Sequence, residues 1–289
     1  MAKHLPRTLA ICGFLAATLS AQDSAGPGNA AAQLARGVAY RRGQGVPQDD
    51  AEAAKWYRKA AEQGNATAQS YLGWMLFNGK GVPQDYAEAV VWLRKAAGQG
   101  NAEAEFNLGN AYASGRGVPI DPAEAVRRWR HAAESGDMNA LHHLITMYDS
   151  GRLGLPQDYA ESAKWLQKAA DQGDPGAQAE LGLRFYDGKG VAHDDAEAER
   201  WYRQAAGQGE AAGQSRLGEM YRIGLAVSQD NVEALKWLTL AAACATGNVR
   251  EPYSKRREAL ALDMAPHQIA EAQRLAREWK PVCQPGCRP

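Results

Sequence analysis

One 36-residue template recurs along this chain, and repetition on that scale restricts the possible folds more than any other property: one copy follows Asn65 and the next follows Asn101. After Asn65 the chain reads ATAQSYLGWMLFNGKGVPQDYAEAVVWLRKAAGQG, and after Asn101 it reads AEAEFNLGNAYASGRGVPIDPAEAVRRWRHAAESG. Six copies are recognisable, at 30–65, 66–101, 102–137, 138–174, 175–210 and 211–246. A unit this short cannot bury its apolar face alone, so stacked neighbours must complete a continuous core.

Each copy reads as two helices around a glycine-punctuated turn. In the second, Ala68, Leu72, Met75 and Leu76 share a face and predict a helix over about 67–78, ended by Gly79 and Gly81. Asp85 and Glu88 then open the second helix as a capping box, each side chain reaching the other residue's backbone N–H. The pair recurs as Asp49/Glu52, Asp121/Glu124, Asp158/Glu161, Asp194/Glu197 and Asp230/Glu233. A catalytic acid pair is needed once and a cap in every unit, so these are read as caps. Trp56, Trp92, Trp165, Trp201 and Trp237 occupy one template position ahead of alanine pairs such as Ala96/Ala97, and are read as core. Gly37, Gly73, Gly109, Gly182 and Gly218 interrupt the first helix at a cost of about 1 kcal/mol each relative to alanine. A loss tolerated so often implies close approach of the partner helix. The fourth copy has Ile145 there and one extra turn residue, GRLGLPQD against GKGVPQD, which predicts a local change of helix spacing.

The strings GKGVPQDYAEAVVWLRKAAGQG at 79–100 and GRLGLPQDYAESAKWLQKAADQG at 151–173 closely resemble the Sel1-like repeat, a relative of the tetratricopeptide repeat. The resemblance implies an all-α, right-handed superhelical solenoid of antiparallel helix pairs with first helices on its concave side. It also implies an adaptor or scaffold for other proteins; some members have been linked to cell-envelope complexes, secretion and host interaction. A cysteine-rich branch, with a cysteine pair in each repeat, has been reported to bind or hydrolyse β-lactams. The first five copies here contain no cysteine, so that activity is not carried over.

The segments outside the repeats bound the setting. Lys3, His4 and Arg7 precede an apolar stretch from Leu9 to Leu19, and Leu19-Ser20-Ala21 offers a cleavage site. Residues 1–21 therefore read as a secretory signal peptide, too short to span a bilayer, with 22–29 a flexible leader. Ile11 before Cys12 is not small, which disfavours a lipoprotein site. The expected product is periplasmic or secreted from a bacterium, soluble, monomeric and near-neutral: losing Lys3 and Arg7 takes the formal charge from 0 to −2. That balance argues against nucleic acid, which demands a clustered positive patch. Residues 247–289 read as a cap of two helices, about 253–263 and 266–280, in which Ile269, Ala272, Ala276 and Trp279 share a face. In an oxidising compartment a disulfide among Cys244, Cys283 and Cys287 is expected, as Cys244 with the tail or Cys283 with Cys287.

No G-x-S-x-G, H-E-x-x-H, C-x-x-C or Walker-type sequence occurs, and the His142-His143 pair projects in divergent directions. The expectation is a non-enzymatic protein with no cofactor and no metal. A binding face is suggested by the template positions that vary between copies. The second, fifth, ninth and twelfth positions of the first helix share one face. The fifth reads Leu34, Ser70, Phe106, His142, Ala179, Ser215, and the ninth Val38, Trp74, Asn110, Thr146, Leu183, Glu219. Trp74, Phe77, Phe106, Asn110, His142 and Tyr186 are the candidate contacts to a partner peptide or helix, an envelope or host protein. Aromatic side chains on such a face also suit peptidoglycan or another carbohydrate, and a β-lactamase-like hydrolase is the more distant alternative.

Overall fold

A computed structural model describes residues 28–245 and 250–280, and all of their regular structure is α-helical. The expected signal peptide, most of the leader, Cys283 and Cys287 lie outside the described residues. The helices are α1 Ala30–Arg42, α2 Asp50–Glu62, α3 Ala66–Asn78, α4 Tyr86–Ala97, α5 Ala102–Ser114, α6 Pro122–Glu134, α7 Met138–Ser150, α8 Tyr159–Asp171, α9 Pro175–Asp187, α10 Asp195–Gly207, α11 Ala211–Ile223, α12 Asn231–Cys244, α13 Arg250–Leu262 and α14 Pro266–Glu278. The chain divides into two compact units after Asp137. The first holds copies one to three, and the second holds copies four to six with the two tail helices. Within each, helices pair as the solenoid requires, first helix against second and second against the next first.

Local signals set these boundaries. Each aspartate at the start of a second helix accepts backbone N–H groups of the first turn, as Asp85 does from Glu88 at 2.9 Å and Asp121 from Glu124 at 2.9 Å. The reciprocal half of the expected capping box does not form. The N–H of Asp85 is already given to the Leu76 carbonyl at 3.0 Å, and those of Asp49, Asp121, Asp158, Asp194 and Asp230 go to the matching carbonyls of their own first helices. The glutamates are thereby released for side-chain work. Glu88 accepts the Trp92 indole N–H at 3.0 Å and the Arg58 guanidinium at 2.5 Å. First helices start at Asn29, Asn65, Asn101 and Asp174 by the same cap logic, so Asn29 caps the first copy as Asn65 caps the second.

The close helix approach implied by the recurrent glycines is present, but its partner is not the recurrent tryptophan. A Cβ on Gly73 would lie 2.7 Å from Leu93 Cγ, and one on Gly109 would overlap the Trp129 ring. The side chain opposite is always one residue after the tryptophan position: Tyr57, Leu93, Trp129, Tyr202 and Leu238, all at most 1% exposed. Trp92 and Trp237, also buried, instead lie against the preceding copy. Trp92 joins the cluster of Ala53, Tyr57 and Ala60, and Trp237 that of Ala198, Tyr202 and Ala206. Trp56, with no preceding copy among the described residues, is only half-buried, under Arg36 and Lys59.

Two further ties run through each unit. Gln69 donates to the Ala61 carbonyl at 3.0 Å and accepts from Gln99 at 2.8 Å; Gln178 repeats both contacts with Ala170 and Gln208. The second glycine of the turn lets backbone meet backbone. Gly81 adjoins the Asp50 carbonyl of the preceding copy, and Gly117 that of Tyr86. The sixth copy places Ala226 at that position with φ 57°, and the fourth absorbs its extra residue at Leu153, also φ 57°. Ile145 there is half-buried.

One buried charge interrupts the apolar pattern of the second unit. Arg184, 2% exposed, stands at the tenth position of the first helix, where other copies carry Ala39, Met75, Ala111, Met147 and Met220. It donates to Asp149 of the fourth copy at 2.5 Å and to Glu180 at 3.0 Å. The tail then covers the sixth copy. Leu260, Met264 and Ala272 bury against Ala234, Leu235 and Leu238, and Trp279 meets Trp237 edge-on at 6.2 Å. Pro266 opens the last helix as expected, while α13 begins at Arg250, ahead of the predicted start.

Candidate functional site

The face singled out by sequence variation exists on the first helices, and the two units use it differently. In the first unit Trp74 is half-buried, packed beside the apolar cluster around Leu72 and Met75, with the Arg41 guanidinium 4.9 Å from its ring centre. Arg41 also lies 5.3 Å from Tyr71. Phe77 meets Tyr86 edge-on at 5.1 Å, and Arg116 of the third copy sits over both rings. Each of these arginines comes from a neighbouring copy, so the aromatic groups hold copies together while leaving an edge in solvent. Cation–π contacts of this kind contribute about 0.5–1 kcal/mol at exposed sites.

Phe106 and Asn110 lie on α5, both half-exposed. Asn110 is committed to packing on one side, since its Oδ1 accepts the Trp129 indole N–H at 3.2 Å. Glu103, at the second position of the same helix, has its carboxyl raised above the ordinary value by burial, with Arg41 opposing and Asp137 reinforcing the shift. The face therefore mixes aromatic rims with a partly desolvated acid.

His142 and Tyr186 fall in the second unit, so they belong to a different body from Trp74, Phe77, Phe106 and Asn110. His142 is exposed, 3.5 Å from the Asp174 carboxylate that caps α9, and Tyr186 is 37% exposed. His143 is half-buried, and burial lowers its imidazole pKa. The fifth position proves less free than its variability implied: Ser70, Ala179 and Ser215 are all buried. Variation there reflects what each neighbour supplies, not absence of packing. In copies five and six the same face opens into a recess of about 450 Å³, closed on one side by α13. Sequence reading found the face and missed this recess, because its outer wall comes from the tail. Cys244 ends α12, half-buried, at the template position of Gln63, Gln99 and Gln208; its expected disulfide partners lie outside the described residues.

Among the described residues no group of three or more His, Cys, Asp or Glu could hold a metal ion, and no helix is long and apolar enough to cross a membrane. Arg184 with Asp149 and Arg128 with Glu105 tie helix to helix, while Glu180 and Glu124 engage the same arginines along their own helices.

The Sel1 repeat model matches residues 29–65, 66–101, 102–137, 146–174, 175–210 and 211–245. Residues 138–145, which carry His142 and Ile145, fall outside the fourth match. A Sel1 repeat protein from Oxalobacter formigenes is similar in structure, with a TM-score of 0.63 and 37% identity over 78% of this chain and 92% of that one. A protective antigen present in uropathogenic Escherichia coli strains, displaying an SLR fold, is 31% identical over 87% of this chain, with a TM-score of 0.49. The chain spans 61% of that antigen's length. No curated protein matches the sequence. Sel1 repeats generally act as non-catalytic scaffolds of protein–protein interaction. Six matched copies, joined by their glycine turns and aspartate caps into stacked helix pairs, show that the chain belongs to the Sel1 repeat family.

Proposed function

We propose that this chain is an exported scaffold without catalytic activity, whose first-helix face binds a peptide or helix of an envelope or host protein. The observation that carries this reading is Trp74. Its template position is filled by Val38, Asn110, Thr146, Leu183 and Glu219 in the other copies, so the repeat does not require an indole there. Its ring is nonetheless held in place by Arg41 with an edge left in solvent, the arrangement of an interface anchor. The basic, apolar and small-residue layout of 1–21 supports export.

The test compares Trp74→Ala with Trp92→Ala in partner capture from an envelope extract and in thermal melting. Trp74→Ala is expected to lose at least about 1 kcal/mol of partner affinity and to melt closer to the parent than Trp92→Ala. Equal melting losses with intact capture would remove Trp74 from the binding face. Sedimentation of the parent, but not of Trp74→Ala, with purified cell wall would replace the protein partner by a glycan. N-terminal sequencing of the exported protein is expected to begin at Gln22.

A further inference from the structure

The recess in the second unit is built from the second, fifth and ninth positions of α9 and the second and fifth of α11, with Ala179, Leu183 and Ser215 among its lining residues. Its far wall is Pro252, Tyr253 and Arg256 of α13, the helix that also covers the sixth copy through Leu260. Arg256 donates to Ser215 Oγ at 2.9 Å, and Ser215 is 1% exposed, so the guanidinium is drawn inward and fixed at the recess. Arg216 lines the same space.

The charges around the recess are unevenly committed. The Glu180 carboxylate accepts from Arg184 at 3.0 Å, and Glu210 accepts the Ala212 N–H at 3.4 Å at the start of α11. Among the described residues, neither Arg216 nor Arg256 has a carboxylate within ion-pair distance. Two guanidiniums beside an apolar floor, with nearby acids already engaged, complement a ligand that is anionic at one point and apolar beside it. A polyphosphate fits poorly, because Glu180 and Glu210 line the same recess and would repel a continuous run of negative charge.

We propose that this recess binds an acidic side chain of a partner's peptide segment, its carboxylate shared by Arg216 and Arg256 and a neighbouring apolar residue resting on Leu183 and Tyr253. Guanidinium–carboxylate pairs are charge-assisted and directional, and a partly enclosed site strengthens them relative to open water. The proposal rests on the scaffold reading and names the partner chemistry of a second place on the same face.

The probe is a fluorescein-labelled, end-blocked peptide Ala-Leu-Glu-Ala-Leu-Glu-Ala, beside its analogue with glutamine for glutamate, titrated by anisotropy into the full chain. The acidic peptide is expected to bind at least about tenfold more tightly than the analogue, and R216Q and R256Q are each expected to weaken it at least about fivefold at unchanged helicity. Trp74→Ala is expected to leave the peptide affinity unchanged. No binding of the acidic peptide, equal affinities for the two peptides, or unchanged affinity in R216Q overturns the site. Those results leave partner capture through Trp74 standing, whereas undiminished capture by Trp74→Ala beside intact acidic-peptide binding removes only the earlier reading of Trp74.

Discussion

Copies two and three share a backbone and differ in how they fill it. In the second, the fourth position of the first helix is Gln69, hydrogen-bonded to Ala61 and Gln99, and the tryptophan position is Trp92, bonded to Glu88. In the third, Glu105 replaces the glutamine, Arg128 the tryptophan and Ser135 the glutamine donor. Arg128 bridges Glu105 at 2.9 Å and Glu124 at 2.7 Å, and His131 Nδ1 lies 3.1 Å from Glu105. A neutral ladder has become a charge network. The glycine contact survives in both copies, as Gly73 with Leu93 and Gly109 with Trp129. The template thus fixes the helix contact and the turns, while the residues between copies exchange in matched sets.

The largest expected effect tests the shared element. Trp129→Ala should cost about 3–5 kcal/mol, the usual penalty for emptying a fully buried aromatic site, and Trp92→Ala, at the junction between copies, should cost less. Urea unfolding of the two variants decides it. Equal losses would mean that the glycine contact is no more central than the junction.

Next comes the matched set. Arg128→Leu leaves the Glu105 carboxylate, whose side chain is 5% exposed, without its main partner and should cost about 3 kcal/mol. The double variant E105Q/R128W recreates the second copy's solution and should recover most of that loss. A double variant as unstable as the single one would show that the exchange needs Ser135 and His131 as well.

A smaller contrast is expected in acid. The Arg58 hydrogen bond holds the Glu88 carboxyl below its ordinary value, against burial and with help from the Trp92 indole. For Glu124, burial pushes the carboxyl up, but the hydrogen bonds and charges of Arg128 and Arg127 more than reverse it. A carboxyl lowered by folding contributes stability that is complete above its unfolded value, about 4.3, and is lost as pH falls through the folded value. Melting temperature should therefore fall between about pH 5 and pH 3 more steeply in the parent than in Glu124→Gln. Parallel profiles would mean that Glu124 contributes nothing through its charge.

The smallest effect concerns a substitution made without compensation. Ala226 holds φ 57° where the second and third copies have Gly81 and Gly117. Ala226→Gly should stabilise by up to about 1 kcal/mol, because the left-handed region costs alanine that much relative to glycine. A lower melting temperature would show that the alanine methyl makes contacts worth more than the backbone strain.

Much of this arrangement was legible in the chain itself. Glycine turns and aspartate caps act within a few residues, so their spacing alone places Gly79, Asp85 and their counterparts. The recurrent tryptophans are core as expected, apart from half-buried Trp56, but the residue that meets each glycine was harder to see. Trp92 recurs by identity and draws attention, whereas the true partner of each glycine appears as Tyr57, Leu93, Trp129, Tyr202 or Leu238, a mixture that only shared burial unites. Adjacent helical residues point about 100° apart, so one step along the sequence moves a side chain from the helix pair to the junction between copies. The glutamine ladder was missed because glutamine usually marks a surface, and Gln69 is buried only because Gln99 and Ala61 satisfy it. The recess beside α13 needed a wall contributed by Arg256, 41 residues after Ser215, a pairing no template position encodes.

The Arg184–Asp149 pair gives the order of the copies a chemical meaning. Repeat arrays lengthen and shorten most readily by recombination between similar units, and the Gln69-type and Gly81-type contacts here are common to several copies. The pair between copies four and five is not. A unit with an aliphatic residue at the Arg184 position, inserted between them, would leave Asp149 without the guanidinium and Arg184 with Glu180 of its own helix alone. Losing one partner of such a buried pair costs about 3–5 kcal/mol, enough to select against the insertion. This junction therefore acts as a fixed address in an otherwise extensible array.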